Sequence, residues 1–112
     1  MKLYIMISIL LTTSINVSAY IITFINDTNK NVSARIQTLW GNPLYKDIPA
    51  HETATVDTGG WCPEIIRING NDDSGKPLQR SYKLDATKNL CRDRTVHIKS
   101  KFYNPLEIEI SK

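Results

Sequence analysis

Residues 95–111 read Thr-Val-His-Ile-Lys-Ser-Lys-Phe-Tyr-Asn-Pro-Leu-Glu-Ile-Glu-Ile-Ser, and this stretch decides the fold class. Apolar and polar residues alternate on both sides of Tyr103-Asn104-Pro105, which is the period of half-buried strands and not of a helix. Taken as a three-residue connection, that tripeptide sets Phe102 opposite Leu106, Ser100 opposite Ile108 and Ile98 opposite Ile110 on one largely apolar face. Lys101 then faces Glu107, and Lys99 faces Glu109, on the wet side. Opposite charges across a ladder are favourable, and a one-residue slip would turn both faces inside out. Pattern, turn and charge agree on a hairpin.

The same period runs through the upstream chain. Tyr20 to Ile25 is β-branched and aromatic, and the turn-rich 26–30 segment separates it from an alternating run beginning at Asn31. The two runs are expected to form an opening antiparallel pair. In the second run Val32, Ala34, Ile36 and Trp40 share a face with Thr38, which assigns Trp40 to the core. Short strands are expected at Leu44–Ile48, before Pro49, and at Thr53–Thr58, before Gly59-Gly60. The dense Ile65, Ile66 and Ile68 mark a central strand over Glu64–Asn69, ended by the loop 70–75. Leu78 to Leu84 alternates again, with Arg80 on its apolar face and so placed at a rim or bulge. Asp85 to Asp93 is the one segment with room for a helical turn. Seven or eight strands with turns every 8–12 residues predict an all-β antiparallel sandwich in preference to a small barrel.

Upstream of this domain, Lys2, the apolar run Leu3–Leu11 and Val17-Ser18-Ala19 have the layout of a secretory signal peptide, with cleavage after Ala19. The mature chain, residues 20–112, is then about 93 residues, one domain located outside the cytoplasm, secreted or periplasmic. No other apolar run approaches the length of a transmembrane anchor. So small a domain has a thin core, and Cys62 and Cys91 are expected to staple it as one disulfide. Closing a loop of about 30 residues corresponds to roughly 3–4 kcal/mol on the chain-entropy model. Cys62 follows Gly59-Gly60-Trp61 and Cys91 sits in a polar segment, so the bridge should join two loop regions at one end. The immunoglobulin arrangement, with a Trp between cysteines on facing strands, is absent.

Charge narrows the function only a little. Without Lys2 there are 13 basic residues against 11 acidic, which demands no nucleic-acid partner. The basic residues cluster, however: Lys76, Arg80, Lys83, Lys88, Arg92, Arg94, Lys99 and Lys101 share their stretch with only Asp85 and Asp93. Outside a cell such a cluster meets sulfated glycan, phosphate-bearing lipopolysaccharide or an acidic protein face. Trp61, between glycines and Cys62-Pro63, either covers the disulfide or contacts a ligand. A Cys62–Cys91 bridge would draw it next to Lys88, Arg92 and Arg94, the residues expected to bind ligand.

Catalytic patterns are weak. His51 and His97 stand on different segments without metal-ligand spacing, and there is no nucleophile elbow or basic phosphate loop. The expected role is a non-enzymatic binding or interaction module without cofactor or metal, its partner an anionic glycan or an acidic protein. Two other roles stand beside it: an inhibitor that inserts the 59–63 loop into an extracellular hydrolase, and a subunit of a secreted assembly joined through a strand edge. Asn26-Asp27-Thr28 and Asn31-Val32-Ser33 match the N-glycosylation pattern, and the sequence does not say whether either is used.

Overall fold

The computed structural model describes residues 20–84 and 91–111. Eight strands account for most of them: β1 (Ile21–Asn26), β2 (Val32–Thr38), β3 (Leu44–Ile48), β4 (Thr53–Asp57), β5 (Pro63–Asn71), β6 (Pro77–Lys83), β7 (Arg94–Lys101) and β8 (Asn104–Ser111). They form two four-stranded sheets, ordered β4-β1-β7-β8 and β3-β2-β5-β6. The sandwich expected from the alternation is therefore present, with no helix among the described residues.

The core is the inward half of each alternating strand. Ile22 and Phe24 of β1 and Val96 and Ile98 of β7 face Ala34 and Ile36 of β2 and Ile66 and Ile68 of β5, all buried. Ile48, Val56, Leu84 and Leu106 close the edges. Burying each large aliphatic side chain contributes about 1.5–3 kcal/mol, so a one-residue slip in a central strand would cost several such terms together.

Three sequence expectations are corrected. β1 and β2 do not pair: they belong to different sheets, and β1 lies between β4, antiparallel, and β7, parallel. The 27–31 segment is a corner between sheets, and Asn26 builds it. Its buried Nδ2 donates to the carbonyls of Lys30, Ile48 and Pro49 at 2.9, 3.1 and 3.2 Å. Its Oδ1 accepts from the Thr28 amide at 3.0 Å and the Thr28 hydroxyl at 2.7 Å. Local turn chemistry looks alike for a hairpin and for such a corner; the difference lies in residues more than twenty positions away.

The second correction is the β7–β8 register. Ile98 pairs with Ile108, Lys99 with Glu107 and His97 with Glu109, two residues off the expected pairing. Lys101 pairs with Asn104, leaving Phe102-Tyr103 as a two-residue turn and Ser100 against both Pro105 and Leu106. Proline has no N–H to give a regular ladder, so the chain accommodates Pro105 in a bulge. A shift of two keeps every side chain on its face. Phe102, expected opposite Leu106, is instead exposed at the tip.

Third, Trp40 is 92% exposed and not in the core. β2 ends at Thr38 after a register shift at Gln37/Thr38. Trp40 itself takes a left-handed backbone, φ 67°, so the strand period no longer applies to it. Arg80 does sit at a rim: its Nη2 donates to Asn104 Oδ1 across the sandwich at 3.2 Å. The helical turn expected within 85–93 falls largely outside the described residues, and Cys91 and Arg92 form a bend leading toward β7.

Candidate ligand-binding surface at the disulfide end

The disulfide joins Cys62, just before β5, to Cys91, just before β7, with Cα atoms 4.5 Å apart. It ties one sheet to the other at one end, as the flanking loops imply. The 59–63 loop beside it is shaped by glycine: Gly59 and Gly60 have φ of 68° and 93°, a region closed to most L-residues. Gly59 N donates to Asp57 Oδ1 at 2.7 Å, Trp61 N to the Thr58 carbonyl at 3.3 Å, and Leu39 N to the Cys62 carbonyl at 2.9 Å. Bridge and hydrogen bonds together brace the loop.

Trp61 is packed on one side and open on the other. One side of its ring lies on Gly41, where an added Cβ would stand 2.9 Å from Trp61 Cγ and 2.5 Å from Thr38 Oγ1. The rest is open, and the residue is 47% exposed. Gly41 directly follows Trp40, so the two tryptophans share this end of the molecule. A bulky residue with positive φ is strained by about 1–2 kcal/mol, and the indole of this one lies in solvent. Extrapolating the strand period concealed Trp40; Gly41-Asn42-Pro43, read as the end of the strand one residue earlier, was the available signal.

Arg92 and Arg94 reach the same end, both half-buried. The Ile21 amide donates to Asp93 Oδ1 at 2.8 Å, which fastens their segment to β1. Burial pushes the Arg94 guanidinium below its ordinary pKa, helped by the neighbouring Arg92 charge and opposed by Tyr82. It remains a cation, since arginine stays protonated at any physiological pH. Lys88 lies outside the described residues. Lys83, across from Ile65 near the start of β5, lies toward this end, and the rest of the basic stretch disperses. Lys99 and Lys101 pair with Glu109 and Glu107, Arg80 with Asn104, and Lys76 belongs to the turn around Asp72.

The histidines are apart. His51 Nε2 meets Asn29 Oδ1 at 2.8 Å, and His97 contacts Asp27 on the outer face of the first sheet. Among the described residues no three His, Cys, Asp or Glu side chains gather as metal ligands, and no helix is long and apolar enough to cross a membrane. The two glycosylation patterns separate cleanly: Asn26 is fully buried with its amide engaged, whereas Asn31 is exposed.

No family model matches the chain, and no curated protein matches it. A solved structure does resemble it, the NMR structure of a protein from Eubacterium rectale, with a TM-score of 0.60 and 17% identity over 84% of this chain and 89% of that one. At that identity the likeness concerns the fold alone. The disulfide is compatible with an oxidising, extracytoplasmic compartment.

Proposed function

We propose that this is an exported, non-enzymatic binding module that recognises an anionic glycan through its disulfide end. The observation that carries the reading is Trp40, held in a strained backbone with its indole in solvent, beside the half-open Trp61 and at the same end as Arg92 and Arg94. Exposed rigid aromatics stack on sugar rings or anchor interfaces, and neighbouring guanidiniums supply paired donors for sulfate or carboxylate. Nothing in this arrangement needs a metal or cofactor.

The test is a titration with a heparin-type sulfated oligosaccharide and its desulfated counterpart. The expected results are salt-sensitive binding of the sulfated form, and at least a tenfold loss of affinity in both Trp40→Gly and Arg92→Ala with the fold retained. Undiminished binding in both variants would overturn the reading. One observation favours a second role. The 59–63 loop is braced by the disulfide and by hydrogen bonds, the preorganisation an inhibitor loop requires. If Trp61→Ala abolishes inhibition of an extracellular hydrolase while no anionic glycan binds, that role replaces the first.

A further inference from the structure

The outer face of the second sheet carries a pair of cations that no ion pair among the described residues neutralises. Arg35 on β2 and Arg67 on β5 are direct partners in the antiparallel ladder. Their chain neighbours Ala34, Ile36, Ile66 and Ile68 are buried, so alternation turns both arginines away from the core. Directly opposed residues have Cβ atoms about 4.5–5.5 Å apart, and like charges at that spacing are destabilising. The first sheet shows the usual solution, with Lys99 across from Glu107.

Here the neighbours steer the charges without cancelling them. Tyr45, across from Arg35 on β3, lies with its ring centroid 5.9 Å from the guanidinium carbon. Ser81, across from Arg67 on β6, accepts from Arg67 Nε at 3.2 Å. Thus one row, Tyr45–Arg35–Arg67–Ser81, spans all four strands. None of the ion pairs among the described residues includes either arginine. Asp47, the nearest carboxylate in the ladder, is one row away across from Ser33. Of the flanking rows, one carries Gln37, Ile65 and the further cation Lys83, and the other the neutral polar Ser33, Asn69 and Gln79 beside Asp47.

We propose that the Arg35–Arg67 pair is an oxyanion site that takes a sulfate or carboxylate group borne on a carbohydrate. An oxyanion between two guanidiniums replaces their repulsion with charge-assisted hydrogen bonds. Tyr45, 70% exposed, and the surrounding amides and hydroxyls suit the sugar that carries it. Arg35 and Trp40 are five residues apart on one stretch of chain, about 17 Å if fully extended. A single glycan chain can therefore reach both, an extension that rests on the disulfide-end reading; the oxyanion site itself does not.

The experiment follows the Nε–Hε resonances of Arg35 and Arg67 by NMR, with sodium sulfate, sodium glucuronate or a sulfated disaccharide added against chloride at matched ionic strength. Both resonances should shift saturably with sulfate and glucuronate but not with chloride, and the disaccharide should bind at least tenfold more tightly than free sulfate. Arg67→Gln should weaken sulfate at least tenfold, and Arg67→Lys, which keeps the charge but loses the fork, at least severalfold. Trp40→Gly and Arg92→Ala should leave sulfate binding at this site unchanged. Sulfate stabilises proteins generally by exclusion from their surface, so wild type must gain more melting temperature in sulfate than Arg67→Gln does. Non-saturating shifts equal to those in chloride, or equal gains in the two proteins, would overturn the site. Equal affinity for sulfate and disaccharide would overturn the carbohydrate assignment.

Discussion

Lys99 Nζ lies 2.9 Å from Glu109 Oε2, although the residue directly across the ladder from Lys99 is Glu107. Lys101 likewise reaches Glu107 at 3.1 Å while pairing in the ladder with Asn104. Both ion pairs inferred from sequence are therefore made, but diagonally, because long side chains reach past their ladder partners, Lys99 by two residues and Lys101 by three. These pairs are exposed, so their coupling should be small. In double-mutant cycles Lys99 should couple to Glu109 more strongly than to Glu107, and the difference should fade in 1 M salt. Stronger coupling to Glu107 would show that the ladder partner, not the diagonal one, holds the charge.

The same contact predicts a pH response. The Lys99 hydrogen bond, and then its charge, hold the Glu109 carboxyl below its ordinary pKa. Asp72 is lowered too, first by the Ser74 hydroxyl and then by the Lys76 amide. A native pKa below the unfolded value contributes stability that is present above the unfolded pKa and is lost as pH falls through the native one. Unfolding should therefore become easier on the acid side of the ordinary carboxylate range. Carbon-detected NMR titration should show the Glu109 pKa rise in Lys99→Met; an unchanged titration would contradict the assignment.

Reducing the Cys62–Cys91 bond should lower unfolding stability by about 2–5 kcal/mol in urea. The sandwich is small enough that this loss would approach its whole stability. A change below about 1 kcal/mol would mean that the core holds the two sheets together without the bridge.

Asn26→Ala should cost about 2–4 kcal/mol, because it strips partners from the buried Ile48 carbonyl, the part-buried Pro49 carbonyl and the buried Thr28 amide. Any glycan on folded protein exported through a eukaryotic route should sit on Asn31 and not on Asn26, as peptide mapping would read directly. A glycan found on folded material at Asn26 would be incompatible with this corner.

Substitutions around the tryptophans should move stability in opposite directions. Gly41→Ala forces its Cβ against Trp61 and Thr38, so it should destabilise by about 1–3 kcal/mol and change the Trp61 fluorescence. Trp40→Gly relieves a positive φ at an exposed site and should raise stability by up to about 1 kcal/mol. A melting temperature lowered by Trp40→Gly would mean that this indole packs on the protein after all.

The short-range pattern of the chain was sufficient for the strands, most of the inward residues (Trp40 and Phe102 excepted), the disulfide and the hairpin's two faces. Period-two alternation is local, and a lone pair of cysteines in a small domain leaves little choice of partner. Which strands lie side by side was a different matter. The parallel β1–β7 pairing joins segments some seventy residues apart, and nothing within either segment distinguishes it from a β1–β2 hairpin. That choice is made by the Asn26 corner, whose carbonyl partners are supplied by the end of β3. Candidate sites followed the same division. Trp61, Arg92 and Arg94 could be brought together from sequence because the disulfide is a covalent constraint. Arg35 and Arg67 are each unremarkable polar residues on alternating strands, and they become a cationic pair only when β2 and β5 lie side by side in register. Alternation is encoded residue by residue, whereas neighbourhood across a sheet depends on the whole packed core.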